Sequence, residues 1–354
     1  PPTGFLALCT KNLPDVAVTP SEHFSISTWT GDGSEQAITG VGFQPDFVWL
    51  KNTSSNVSSG IYDAIRGATK EIDSDSTSAE TTMAQGLKSF DTDGYTLGTD
   101  TSVGENTAGF VGYNWLAGGG AGSSNTDGSI NTGSTSVNTD AGFSISTYTG
   151  NATSGATVGH GLGAAPEFIM LSNVNTNGGW NLYHTAWGET KTGPLQSYEP
   201  ISTSSNIWND TAPSSTVFTL GNNAAINGNN QTYVAYSFRS IDGYSKIGSY
   251  TGNGVTDGPF VYTGFQPMWV MVKAVTLYKA YLIRDTKRDL FNPLQDGYQA
   301  DLPNAQNANT AEYSVDYLSN GFKVRHADDV QNDGAVVFMY VAFAETPFKY
   351  ANAR

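Results

Sequence analysis

Short stretches in which apolar and hydroxyl-bearing residues alternate recur along this chain. In "FSISTYTG" (143–150), Phe143, Ile145 and Tyr148 sit among Ser and Thr. Alternation with a period of two predicts a strand with one face buried. "FVWLK" (47–51) and "WVMVK" (269–273) are instead apolar nearly throughout. Such runs predict strands buried on both faces. They follow Pro45 and Pro267, and "FIML" (168–171) follows Pro166. Proline is tolerated at a strand's first residue, where no N–H need be donated. Asp-Gly and Asn-Gly steps at 32–33, 93–94, 253–254 and 320–321 supply the turns of hairpins.

The strands come in three sets. Trp29-Thr30-Gly31, Tyr148-Thr149-Gly150 and Tyr250-Thr251-Gly252 are spaced by 119 and 102 residues. Gly-Phe-Gln-Pro occurs at 42–45 and again at 264–267. Each set has a second strand with a tyrosine: "IYDAIRGATK" (61–70), "NLYHTAWGETK" (181–191) and "AYLIRDTKRD" (280–289). Each closes on a strand pair in which Leu97 to Tyr113, Leu220 to Tyr236 and Val324 to Tyr340 are all 16 apart. A repeat of about 100 residues with several short strands has the size of a β-sandwich. The predicted fold is therefore all-β: three tandem, jelly-roll-like β-sandwich modules from an internal triplication. Their boundaries are read as an N-terminal segment 1–22, module 1 at 23–117, a linker at 118–140, module 2 at 141–242 and module 3 at 243–354. The Gly/Ser/Thr/Asn composition of 118–140 is that of a flexible linker, while only "SIDG" (240–243) joins modules 2 and 3. The expectation is that modules 2 and 3 pack rigidly and module 1 sits at its own angle, unless 118–140 lies ordered along a surface.

Composition narrows the function. The 354 residues carry a net charge of −15, and charged residues make up only 14%. An acidic surface repels nucleic acid and anionic membranes. The 12% of aromatics argues against disorder. No run approaches the ~18 apolar residues of a spanning helix, and no basic, apolar leader opens the chain. Cys9 is a lone cysteine, so no internal disulfide forms. Pro1-Pro2 without a Met reads as a processed chain or a piece of a longer one.

No catalytic, cofactor-binding or metal-binding set emerges. The four histidines, His23, His160, His184 and His326, fall in no nucleophile-elbow or zinc spacing. "DTDG" (91–94) with Asp100 resembles half a calcium loop but lacks its remaining ligands, and reads as a hairpin turn. Glycoside hydrolysis needs two carboxyls ~5–9.5 Å apart, and no module concentrates acids. Arg66 beside Asp63 and Arg284 beside Asp285 read as ion pairs stitching a sandwich edge, replaced in module 2 by His184-Thr185. Module 2 concentrates Trp180, Trp187 and Trp208 around His184, so these four are the candidate glycan or partner contacts. Their alternative is core packing, since large aromatics dominate burial.

Several longer stretches resemble virion-associated structural proteins of marine bacteriophages, often labelled tail fibre. They are "PTGFLALCTKNLP" (2–14), "RGATK" (66–70), "WNDTAPSSTVFTLG" (208–221), "GYSKIGSYTGNG" (243–254), "DGPFVYTGFQP" (257–267) and "FAETPFKYANAR" (343–354). In members of that family the opening segment often follows a lectin-like sandwich, which implies a C-terminal portion or a shorter relative. The resemblance implies a place in the virion rather than an enzymatic activity. It points to a structural component such as a tail fibre, tail appendage or capsid-decorating protein. The partners implied are copies of itself (a homo-oligomer, a trimer by analogy) and other virion proteins. Recognition of a host cell-surface glycan is the alternative, and a glycan depolymerase a more distant one.

Overall fold

The computed structural model describes Asn12 and residues 18–350. The segment 2–14 and Cys9 thus lie, apart from Asn12, outside the described residues.

The apolar strands organise everything else. Phe47–Asn52, Phe168–Asn173 and Phe265–Ala274 are buried along almost their whole length. Side chains alternate across a strand. Val48 and Leu50 therefore enter one core while Phe47 and Trp49 enter another. Ile169 and Leu171 part from Phe168 and Met170 in the same way, as do Val270 and Val272 from Trp269 and Met271. The continuous apolar run is the trace of this double burial.

Around each such strand the chain builds the same antiparallel order. In the first segment Phe24–Thr30 pairs with Gly109–Trp115, which pairs with Phe47–Asn52 and then Gly60–Asp63. The second repeats it with Phe143–Thr149, Thr232–Phe238, Phe168–Asn173 and Trp180–His184. The third uses Ser245–Thr251, Val337–Pro347, Phe265–Ala274 and Leu282–Asp285. A smaller sheet covers one face of each: Gln36–Thr39 with Gly94–Leu97 and Leu87–Asp91, Ala156–Gly159 with Val217–Leu220, and Phe260–Tyr262 with Gly321–Val324 and Val315–Leu318. Each pair of sheets encloses its own core. The protein is all-β and sandwich-like.

The recurring Gly31, Gly150 and Gly252 have one physical reason. A Cβ on any of them would run into a backbone oxygen, of Glu105, Gly228 and Asp333 respectively. It would also lie 2.9, 3.0 and 3.0 Å from the rings of Phe110, Tyr233 and Phe338. Each first strand ends where the chain passes flush against the loop before the last strand, and no side chain fits there.

The outer faces of the three large sheets do not meet solvent. They turn toward one another and form a fourth, shared core. Trp115 meets Trp269 at 5.9 Å, Phe47 meets Tyr236 at 4.6 Å, and Phe238 meets Phe343 at 6.1 Å between ring centroids. Every pair of sandwiches is thereby in aromatic contact. The space left among Phe47, Trp115, Phe168, Phe238, Trp269 and Phe343 is only about 10 Å³, too small and too apolar to hold water.

This arrangement corrects two expectations. Residues 118–140 are no free spacer. Asp46 accepts backbone N–H bonds from Ala117, Gly119 and Gly120 at 2.8 Å each. Ser134–Asn138 then adds an edge strand to the second large sheet, and Ile130 bridges Val158. Module 1 is therefore not set at an independent angle, because its outer face belongs to the shared core. The equal spacing of 16 also misleads in the third segment. Ile26 pairs with Tyr113 and Ile145 with Tyr236, but Ile247 pairs with Val341. Tyr340 is one position out of phase and points into the third sandwich's own core, as a one-residue slip in a strand requires.

Candidate functional site

Three joints hold the sandwiches together, and two of them are alike. Between the first and second, Tyr236 donates its phenol hydrogen to Asp63 Oδ2 at 2.7 Å, and Arg66 Nη2 donates to the Tyr236 oxygen at 3.2 Å. Between the third and first, Tyr113 donates to Asp285 Oδ2 at 2.8 Å and Arg288 Nη2 to the Tyr113 oxygen at 3.3 Å. Asp63 and Asp285 are fully buried, and each is ion-paired to the arginine three residues on. Burial works against the charge of Arg66 and Arg288, yet the adjacent carboxylates hold both above the ordinary arginine value.

The partner of Arg66 in this pattern is Arg288, which corrects the pairing with Arg284. Arg284 alternates to the opposite face, opposite Val270, and is fully buried in the third sandwich. It donates to the Tyr313 carbonyl at 2.5 Å and to Gln331, and its Nε and Nη2 have no partner. Among the described residues no acid is ion-paired with it, and burial pulls its guanidinium below the ordinary value.

The joint between the second and third sandwiches departs from the other two. His184 and Trp187 stand where the others carry Asp and Arg, and Val341 stands where they carry Tyr. His184 Nδ1 accepts the Ala186 N–H at 2.9 Å, so its Nε2–H donates to the Tyr340 carbonyl at 3.3 Å. Burial lowers its pKa to about 4. The ring is neutral and structural.

The four aromatic candidates for glycan contact are all core residues, which corrects their assignment as a binding surface. Trp180, His184, Trp187 and Trp208 are 1%, 0%, 7% and 1% exposed. Trp180 Nε1 donates to the Asp73 carbonyl of the first sandwich at 2.8 Å. Trp187 lies against His184 in the shared core, and Trp208 packs edge-on to Tyr183 inside the second sandwich. A sugar cannot stack on a ring with no open face.

A backbone hydrogen bond marks each joint at the same place. Gln306 N–H donates to Thr53 O, Glu80 N–H to Val174 O and Ile201 N–H to Val275 O, at 3.0, 3.2 and 2.9 Å. In the first two, the preceding alanine N–H is also bound: Ala305 to Asn56 Oδ1 at 2.8 Å and Ala79 to Asn177 Oδ1 at 3.1 Å. At the third joint the preceding residue is Pro200, which has no N–H, and the asparagine position is taken by Tyr278.

A cleft of about 360 Å³ opens at this third joint. Tyr198 of the second sandwich and Tyr278 of the third form one rim, with ring centroids 6.3 Å apart and planes inclined at 59°. They are 52% and 68% exposed. Gln299, Thr310, Glu312 and Asp328 contribute polar groups to the walls. Beneath the rim, the buried ammonium of Lys273 donates to the Tyr198 carbonyl at 2.9 Å and to the Lys279 carbonyl. One side chain thus clamps both sides of the rim. Burial lowers Lys273 to a pKa of about 8. Lys51 makes the corresponding bridge at the first–third joint, to Val57 and Pro303 at 2.6 and 3.0 Å.

Sequence comparison defines the unit to which these joints belong. Residues 19–347 match the model of a domain of unknown function, DUF7483. The chain belongs to the DUF7483 family. No curated protein and no solved structure matches it. The DUF7483 match runs across all three sandwiches, so the family unit is the whole ring of joints rather than one sandwich. Among the described residues of this DUF7483 chain, no three His, Cys, Asp or Glu side chains are grouped to hold a metal ion. No described helix is long and apolar enough to cross a membrane.

Proposed function

We propose that this DUF7483 chain is a structural component of a bacteriophage particle, a rigid block that works through contacts with its own copies and with other virion proteins. The observation that carries the reading is the shared aromatic core, which fuses three sandwiches into one body. Such a body has no hinge between sandwiches and presents its loops and small sheets outward, as a load-bearing part needs. The phage-like stretches at 208–221, 243–254 and 257–267 supply the setting. Apolar groups for contact concentrate on the third sandwich, where Phe260, Tyr262, Leu290 and Phe291 are 45%, 61%, 59% and 79% exposed. Exposed apolar side chains of this size favour association.

The test is mass spectrometry and immunogold labelling of purified particles from a culture that produces the chain, with light scattering of the isolated chain at two concentrations. The chain in stoichiometric amount on particles supports the reading. Its presence only in the soluble lysate overturns it.

A further inference from the structure

We propose that the cleft at the second–third joint binds a neutral carbohydrate, with Tyr198 and Tyr278 as the stacking rim. The inference is independent of any place in a virion.

Its first support is the broken repeat. Two joints close with an Ala–Asn hydrogen bond and an Asp–Arg–Tyr cluster. The third gives up both, and a cleft with two exposed aromatic rings stands in that place. Pro200 removes the donor that would have called for asparagine, and Tyr278 projects to solvent instead. A joint selected only for cohesion has no use for two bare phenol rings.

The second support is the chemistry of the walls. A pyranose offers an apolar face of C–H groups and a rim of hydroxyls. Tyrosine faces supply a flat apolar surface with a polar tip at little conformational cost. The Gln299 amide, the Thr310 hydroxyl and the Glu312 and Asp328 carboxylates supply donors and acceptors for hydroxyls. A volume of about 360 Å³ suits a short oligosaccharide and lies within the usual ~300–1,000 Å³ of small-ligand sites.

Charge selects the class. Of the lysines at the cleft, Lys279 on the wall is engaged by Asp329 at 2.6 Å, and Lys273 beneath the rim is buried and spent on two backbone carbonyls. Glu312 and Asp328 then leave the wall acidic, on a chain of net charge −15. Nucleic acid, phosphorylated and uronic ligands are repelled, and a neutral sugar is not.

The third support is preorganisation. Lys273 holds the Tyr198 and Lys279 carbonyls together from below. Arg284 and Gln331 hold the 312–314 backbone, with Gln331 Nε2 donating to Glu312 O at 2.7 Å and Arg284 to Tyr313 O. A rim fixed before binding costs less entropy to occupy.

The experiment screens the intact chain against an array of neutral oligosaccharides built from hexoses, 6-deoxyhexoses and N-acetylhexosamines, with uronic and sulfated oligosaccharides alongside. Hits are quantified by isothermal titration. The expected result is a neutral ligand whose affinity falls at least about tenfold in Tyr198→Ala and in Tyr278→Ala. Tyr278→Phe, which keeps the ring, stays within about threefold, and Tyr262→Ala, exposed on the third sandwich's small sheet, changes nothing. All variants are checked for unchanged melting, which the exposure of these side chains predicts. No binding at millimolar sugar overturns the proposal. So does a hit untouched by both alanine variants, or a preference for the anionic oligosaccharides.

Discussion

The phenol of Tyr113 donates to the carboxylate of Asp285, 2.8 Å away and 172 residues along the chain. Tyr236 does the same to Asp63 across 173 residues. These two contacts are matching polar seams at the border of a largely apolar shared core. A buried carboxylate stripped of its arginine, or an arginine stripped of its carboxylate, is expensive. Asp285→Ala is expected to destabilise the protein by about 3–5 kcal/mol in urea unfolding. Tyr113→Phe, which removes one charge-assisted bond, costs about 1.5–3 kcal/mol. A double-mutant cycle of Tyr236→Phe with Asp63→Asn should show coupling, and additive effects would mean that the seam carries no energy of its own.

Gly31, Gly150 and Gly252 are expected to respond alike to alanine. Each substitution drives a methyl group into a backbone oxygen and an aromatic ring. Overpacking of this kind costs about 1–3 kcal/mol. Gly163, which has open space around its Cα, has no such clash. With φ +70° it is still strained by alanine, so it calibrates conformational cost against collision. Equal losses at Gly163 and Gly150 in thermal melts would remove the packing explanation.

The tryptophans of the second sandwich are predicted to matter for folding and not for ligand. Trp208→Ala should cost about 3–5 kcal/mol, the usual price of emptying a buried aromatic site. Sugar affinity of whatever fraction stays folded should be unchanged. A folded Trp208 variant with lost binding would return the ligand site to the middle of that sandwich.

Stability should carry a pH signature from desolvated acids of the first and third sandwiches. Burial raises Glu71 to a pKa of about 7, and Asp73 and Asp301 to about 6. The folded state therefore keeps protons that the unfolded chain releases between about pH 4 and 5. Their contribution is fully present below that range and is lost as pH rises to about 7. His184 acts in the opposite sense, since its pKa falls to about 4 and the unfolded chain takes up its proton first. Comparison with Glu71→Gln isolates one acid from the rest. The variant should gain about 3 kcal/mol relative to the parent on going from pH 4.5 to pH 8. Parallel stability curves for the two proteins would refute the assignment.

Much of the secondary structure is legible in the sequence, because strand periodicity and turn chemistry are local. "FVWLK" announces burial on both faces without saying what lies beyond the second face. That second partner is two other sandwiches, where Phe47 meets Tyr236 across 189 residues of sequence, and no local pattern encodes it. The Gly/Ser/Thr/Asn run at 118–140 has the composition of a spacer, yet Asp46 folds its start into a hydrogen-bonded nest. The tryptophans are conspicuous by size, and size is what sends them inward. The cleft was readable only faintly. Asp-x-x-Arg at 63–66 and 285–288 against His-x-x-Trp at 184–187 marks the odd joint. Tyr198 and Tyr278 themselves lie in loops with no repeating signature.

The three joints sit on one chain, and that has a consequence for what can be changed. In an assembly of three identical subunits, every substitution is written into all three contacts at once. A mutation that opened one would open the others, and the body would fall apart. Here two joints keep the Asp–Arg–Tyr seam while the third carries Tyr198 and Tyr278. A single chain with three joints can let two of its seams hold the frame and leave the remaining one to vary for another purpose.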